Sequence, residues 1–155
     1  MSHTPGRPAL PRAYRAETAT PGDLATALAA WRVRRPRRIL MLSDRGAAGN
    51  QSWSVWNHDG KHLVARRSSS LATPSAVAWE HVLLRHLAGL GWSIPTPVAD
   101  PARVDGAVWS LFGYVRGAPC GLDPRANRAR GRLLASLHAA LLPLRRRIGE
   151  RPDWE

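Results

Sequence analysis

Three stretches of the chain repeat apolar residues at helical spacing, and a helix-start pattern precedes each of them. The patterns are Thr20-Pro21, Thr73-Pro74 and Asp123-Pro124. A Thr or Asp side chain caps the first free amides of a helix, and Pro fits the first helical position. The spacing predicts three helices, over residues 21–35, from 74 to 89 or 91, and over 124–144.

Five stretches between these helices are short apolar or alternating runs, which are typical of β-strands. Asp59-Gly60 and Asp105-Gly106 predict hairpin turns, because Gly and Asp tolerate positive φ better than most residues. The element order favours an α+β fold with a five-stranded antiparallel sheet, one helix inserted after the third strand, and flanking N- and C-terminal helices. The predicted strands cover residues 37–44, 50–58, 61–69, a short stretch before Arg103, and 107–117.

The composition is that of a packed protein, since 44% of the 155 residues are hydrophobic and seven are tryptophan. Residues 1–20 are the exception: they are rich in Pro, Ala and Thr without hydrophobic periodicity, and we expect a flexible tail there. No apolar run is long enough for a membrane span, so we expect no membrane partner. Cys120 is the only cysteine, which favours a reducing, cytoplasmic location.

The formal net charge of +12 raises the alternative of a non-catalytic basic module that binds nucleic acid or an acidic protein partner. Between Met41 and Ser110, however, the sequence contains six basic and five acidic residues, so this segment is almost neutral. The surplus lies in three arginine runs near the ends, and such runs are usually solvated faces. We therefore do not favour nucleic acid. If it binds through five phosphates, affinity falls with salt at a log–log slope of about −4.5.

The glycine-bearing stretch from Ser43 to Val55 joins two predicted strands. Gly46 and Gly49 are too close together for a Walker phosphate loop, and no helix follows them as in a dinucleotide-binding turn. The stretch is either an ordinary hairpin tip or a loop whose backbone amides cover phosphate, as in kinase-type glycine-rich loops.

Two charged residues follow that loop in the order that a kinase-type nucleotide site requires. Such a site needs a basic residue on the third strand and a glutamate on the next helix. Arg66 and Glu80 occupy these positions. Whether Arg66 or Arg67 faces the site depends on strand register, because a shift of one residue reverses the side on which every side chain lies.

Five stretches in register carry a family resemblance: SDRGAAGNQSWSV, GKHLVARR, AWEHVLLRHLAGLGWSIPTPV, AVWSLFGYVRGAP and GRLLASLHAAL. Over about residues 37–142 the chain resembles the N-terminal part of the aminoglycoside phosphotransferase family, the small-molecule kinases related to choline and homoserine kinases. The resemblance implies a protein-kinase-like N-terminal lobe that binds ATP. It leaves the hydroxyl compound that accepts the phosphate open.

The resemblance also implies roles for individual residues. The loop would close over the ATP phosphates, an arginine would replace the usual phosphate-holding lysine with a glutamate as its ion-pair partner, and the end of the fifth strand would form the hinge against adenine. These nucleotide-binding positions are Gly46, Ala47, Ala48, Gly49 and Asn50 in the loop, Arg66 and Glu80 in the ion pair, and Phe112, Gly113, Tyr114 and Val115 in the hinge.

The chain departs from the family pattern in one respect. Family chemistry depends on an H-G-D-x4-N loop and a later Asp that holds magnesium, and the 155 residues contain no such loop. We therefore expect residues 21–118 to be the ATP-binding lobe, and 119–155 to be a linker and the first helix of a missing C-terminal lobe. No catalytic or metal-binding residue is assigned, and Mg²⁺ is expected only with the missing lobe.

An isolated ATP-binding lobe has consequences for activity and for partners. We expect the chain to be inactive alone, with a weak or incomplete ATP site. The leucine stripe of the helix at 124–144 would need another cover. Its expected partner is either a separately encoded C-terminal lobe or a second copy of this chain.

Overall fold

The structure, a computed structural model, describes residues 19–44, 49–69, 71–118, 121 and 123–152. The predicted flexible tail therefore lies outside the described residues, apart from Ala19 and Thr20. Eight elements follow one another along the chain: α1 (Pro21–Ala30), β1 (Arg38–Ser43), β2 (Gln51–Trp56), β3 (His62–Arg67), α2 (Pro74–Gly89), β4 (Ala102–Val104), β5 (Ala107–Gly113) and α3 (Pro124–Ile148).

The five strands form one antiparallel sheet in the order β1-β2-β3-β5-β4. Helix α2 lies between β3 and β4 in the chain, so the predicted α+β fold with one inserted helix is confirmed. Asp105 and Gly106 both have positive φ, of 51° and 77°, and they make the predicted two-residue hairpin. The β2–β3 turn is wider than predicted: only Gly60 has positive φ, and Asn57 donates from its amide to the carbonyl of Lys61.

Helix α1 covers one face of the sheet, and the main hydrophobic core lies between them. Trp53 and Trp109 from this face are buried and stack on each other, with ring centroids 5.2 Å apart. Burying aromatic rings of this size supplies much of the apolar area on which a small domain depends. The core comprises Ala19, Leu24, Ala27, Leu28, Val33, Trp53, Val55, Leu63, Ala65, Val104, Trp109 and Leu111.

The start of α1 is as predicted, and its end is not. Thr20 and Asp23 form a reciprocal capping box, in which each side chain accepts a hydrogen bond from the other residue's backbone amide. The helix ends at Ala30 rather than at residue 35, because Arg32 and Arg35 take positive φ. This turn brings Val33 into the core, which offsets the cost of the unusual backbone.

Helix α2 matches the prediction, whereas α3 continues past its predicted end at residue 144 to Ile148, with Pro143 inside the helix. Only Leu144 of α3 is buried. Leu133 and Leu134 are 59% and 52% exposed, and the helix contacts the rest of the lobe through the C-terminal half, where His86 of α2 meets the carbonyl of Ala140. Among the helices described, none is both long and apolar enough to cross a membrane.

Candidate functional site

The register of β3 decides which of two neighbouring arginines faces the second side of the sheet. Ala65 pairs with Trp53 and Leu111 in the core under α1. Since side chains alternate along a strand, Arg66 lies on the opposite face, the face of α2. Arg67 shares the α1 face, where its charge adds slightly to the Thr20 hydrogen bonds that lower the pKa of Asp23.

On the α2 face, Arg66 forms an ion pair with Glu80. Arg66 Nη2 lies 2.8 Å from Glu80 Oε1, and the two side chains are 22% and 34% exposed. The guanidinium also lies over the ring of Phe112, with Cζ 4.8 Å from the ring centroid. Its Nε is buried and has no hydrogen-bond partner within the described residues. The ion pair and the aromatic ring therefore hold the guanidinium in place on the α2 face.

Helix α2 brings Glu80 to this position because its start is fixed. The Thr73 hydroxyl accepts a hydrogen bond from the amide of Ala76, and Pro74 occupies the first turn. One face of the helix is buried against the sheet, through residues that include Val77 and Leu87.

His81 lies directly behind the ion pair and is fully buried. Its Nε2 is 2.9 Å from the Ser110 hydroxyl of β5, and its ring meets Phe112 edge-on at 5.5 Å. Burial, with a smaller contribution from Arg85, lowers the pKa of His81 to about 4, so the ring is neutral at pH 7. His81 lies in the apolar stripe that Val77, Leu84 and Leu87 form at helical spacing on α2, and no role in the site was predicted for it from the sequence. The available clue was a histidine in such a stripe together with a serine in an apolar strand.

A cavity of about 350 Å³ opens beside the Arg66–Glu80 pair. Its walls combine apolar side chains with this pair at one side and the end of β5 at another. Six predicted positions meet in it, although they come from three distant parts of the chain. The lining residues are Leu42, Val64, Arg66, Glu80, Leu84, Pro95, Phe112, Gly113, Tyr114 and Val115.

The chain after β5 forms one edge of this cavity. Two successive amides are already used: Gly113 donates to the carbonyl of Thr96, and Tyr114 donates to that of His62. The next amide, that of Val115, donates to no other part of the described chain. Of these three amides, it is the one without an acceptor among the described residues.

A stack of side chains buttresses that edge from the side of β1. His62 stacks on Tyr114 with centroids 3.7 Å apart and on Trp56 at 4.3 Å. The guanidinium of Arg38 covers the far side of Trp56 at 5.0 Å. The stack connects Tyr114 to three strands, β1, β2 and β3, so the position of Tyr114 depends on their pairing.

The glycine-bearing loop is described only at its end. Gly46, Ala47 and Ala48 lie outside the described residues. Gly49 and Asn50 follow them, and Asn50 Oδ1 accepts a hydrogen bond of 2.9 Å from the amide of Ser69. Neither lines the cavity between the described residues. The tether to Ser69 fixes the point at which the loop enters β2.

Comparison with known families shows which proteins the chain is related to. A family model described as phosphotransferase enzyme family matches residues 42–154, most of the chain. The chain belongs to the phosphotransferase enzyme family. The resemblance drawn from the five sequence stretches is thereby confirmed. No individually curated protein matches the chain. In this phosphotransferase family member, the matched segment contains β2 to α3 and all the residues of the cavity.

Proposed function

We propose that this chain is the ATP-binding lobe of a small-molecule phosphotransferase, and that the cavity beside the Arg66–Glu80 pair holds the nucleotide. One observation carries the proposal: the predicted arginine, its glutamate partner and the predicted hinge line a single cavity. A concave, mainly apolar site with few convergent polar groups is typical of ligand-binding sites.

The cavity offers separate chemistry for the two ends of a nucleotide. Val64 and Leu84 provide apolar walls for a flat base, and the Val115 amide is a donor for a ring nitrogen. Arg66 provides the positive charge for phosphate oxygens, and a guanidinium binds phosphate through several directed donors. The Glu80 carboxylate fixes its orientation.

We further propose that these 155 residues bind nucleotide without transferring phosphate. Phosphoryl transfer needs a group that aligns the acceptor hydroxyl and ligands that hold magnesium. The sequence has no H-G-D-x4-N loop. No three His, Cys, Asp or Glu side chains converge in the part of the chain that the structure describes. The described residues thus offer no set of three ligands for a metal ion, and no catalytic step is assigned to them.

Titration with a fluorescent ATP analogue, the methylanthraniloyl derivative, tests nucleotide binding. We expect saturable binding that ATP reverses. Because the chain is strongly basic, tripolyphosphate and adenosine serve as competitors that isolate the charge and the base. Partial displacement by each is expected. Displacement by tripolyphosphate alone, abolished at high salt, would show nonspecific anion binding and contradict the proposal.

We also propose that α3 associates with a second copy of this chain through its exposed leucines. Leu133, Leu134 and Leu142 are each more than half exposed, although they are among the residue types most often buried. Exposed apolar surface of this kind marks interaction sites or promotes aggregation.

Light scattering after size-exclusion chromatography tests this association. We expect the wild-type mass to rise above that of a monomer as concentration increases, and a Leu133→Gln/Leu134→Gln variant to remain closer to monomeric. A Val82→Gln variant, exposed on α2, is the control. A wild-type protein that stays monomeric at every concentration would refute the association.

A further inference from the structure

Helix α2 is joined to the sheet by two polar bridges from consecutive residues. Glu80 binds Arg66 on β3, and His81 binds Ser110 on β5. The two strand residues are themselves directly paired across the β3–β5 ladder. The four side chains therefore form a closed circuit between one helix and two adjacent strands.

Phe112 connects the two bridges. Its ring lies under the guanidinium of Arg66 at 4.8 Å and meets the imidazole of His81 edge-on at 5.5 Å. A displacement of His81 would therefore disturb the ring against which Arg66 rests as well as the helix that carries Glu80.

A buried histidine is a costly way to fill this position. His81 Nδ1 is buried and lacks a hydrogen-bond partner among the described residues, whichever tautomer is present. An unsatisfied buried polar atom destabilises a protein, and a leucine of similar volume would carry no such cost. What the imidazole adds and leucine lacks is a directed bond to Ser110.

That bond constrains the rotation of α2. Consecutive helical residues point about 100° apart, so two bridges from adjacent positions fix the helix about its axis more tightly than one. Without the Ser110 bond, the Arg66–Glu80 pair would be the one polar bridge left between α2 and the strands among the described residues. The apolar contacts around it are not directional.

We propose that His81 is a positioning residue: through its hydrogen bond to Ser110 it holds α2 in the rotation at which Glu80 meets Arg66 and aims the guanidinium at the nucleotide phosphates. The inference rests on the proposed nucleotide site. The chemical class of the ligand that responds to His81 is therefore a nucleoside polyphosphate, whereas adenosine, which lacks phosphates, should bind almost independently of His81.

Four variants separate positioning from stability: His81→Leu, His81→Gln, Ser110→Ala and the double variant His81→Leu/Ser110→Ala. Each is assayed for affinity with the methylanthraniloyl ATP analogue and for its midpoint of urea unfolding. The Gln side chain can still bond to Ser110, and the double variant leaves no unpaired group at either position.

We expect His81→Leu and Ser110→Ala each to weaken binding of the ATP analogue about fivefold to tenfold, which is the effect of losing one hydrogen bond. His81→Gln should restore much of the affinity. The double variant is the decisive case: its unfolding midpoint should recover towards wild type, while its affinity stays reduced. In a Glu80→Ala background, His81→Leu should weaken binding little further, because both changes release the same arginine.

The inference would be overturned if all four variants bound the analogue as tightly as the wild-type protein. It would also be overturned if affinity rose and fell with the unfolding midpoint across all the variants. Failure of the wild-type protein to bind the analogue would instead overturn the proposed function. The unfolding midpoints then decide the positioning role: coupled, less than additive effects of His81→Leu and Glu80→Ala support it, and strictly additive effects refute it.

Discussion

Acidification from pH 7 to pH 4 is expected to lower the free energy of unfolding by about 3 kcal/mol through His81 alone. Burial is the main reason that the pKa of His81 falls to about 4, and the charges of Arg85 and Arg66 lower it further, against Glu80 and Asp100. The unfolded chain has an ordinary histidine pKa near 6.5 and so binds the proton more tightly than the folded protein. The stability that depends on a neutral His81 is therefore fully present above pH 6.5, and it is lost as the pH falls towards 4.

Urea unfolding at a series of pH values measures this loss, and His81→Leu is the matched control. The variant cannot protonate at this position, so its stability should fall much less between pH 7 and pH 4. Asp23 and Asp59, whose pKa values are lowered mainly by hydrogen bonds from Thr20 and Lys61, lose their contribution only at lower pH and do so in both proteins. Parallel curves for wild type and variant would contradict the prediction.

Replacing Arg66 with methionine is expected to weaken binding of the ATP analogue by about 10- to 100-fold, the effect of losing a charged hydrogen bond. Methionine keeps an unbranched side chain against Phe112 and removes the charge and the donors. Titration with the fluorescent analogue measures the change. Adenosine should compete almost as well against the variant as against wild type, because the substitution leaves the proposed base-binding edge at Val115 unchanged.

Arg67→Met is the matched control, because it removes the same charge one residue away on the α1 face of β3. Its affinity for the ATP analogue should remain close to that of wild type. Equal losses in the two variants would indicate a general effect of net charge and would contradict a directed role for Arg66.

The order of the elements could be predicted because its signals are local. Thr73-Pro74 and Asp123-Pro124 start helices through local capping, which does not depend on tertiary contacts. Asp105-Gly106 makes its hairpin through the backbone preferences of the two residues. The end of α1 could not be predicted in this way. Arginine is a good helix former, and the turn at Arg32 that ends the helix brings Val33 into a core contact that the local sequence does not reveal.

Part of the candidate site could likewise be predicted from local sequence, and part depends on tertiary packing. The order along the chain predicted Arg66, Glu80 and the hinge, but it left open whether Arg66 or Arg67 faces the site. Only the burial of Ala65 against the core settles the side on which each lies. His81 was missed because its partner, Ser110, is 29 residues away and the contact depends on packing.

Cavity walls were harder still to foresee. Leu42, Leu84 and Pro95 come from a strand end, a helix and a loop, and no spacing in the sequence connects them. Leu84 recurs at helical spacing with Val77 and Leu87, yet it is only half-buried and lines the cavity. Apolar periodicity indicates that a side chain avoids water and does not distinguish a core position from a binding surface.

The hydrophobic core includes helix α1, which lies before the first residue that the family model matches. The family match begins at Leu42, near the end of β1, yet α1 and the turn after it supply a large share of the core on the face away from the cavity. A recombinant chain trimmed to residue 42 would retain every residue of the matched family segment and leave Trp53 and Trp109 without their cover. A variant intended to fold on its own should therefore begin at Ala19 or earlier, because the packed core extends beyond the residues that the family model matches.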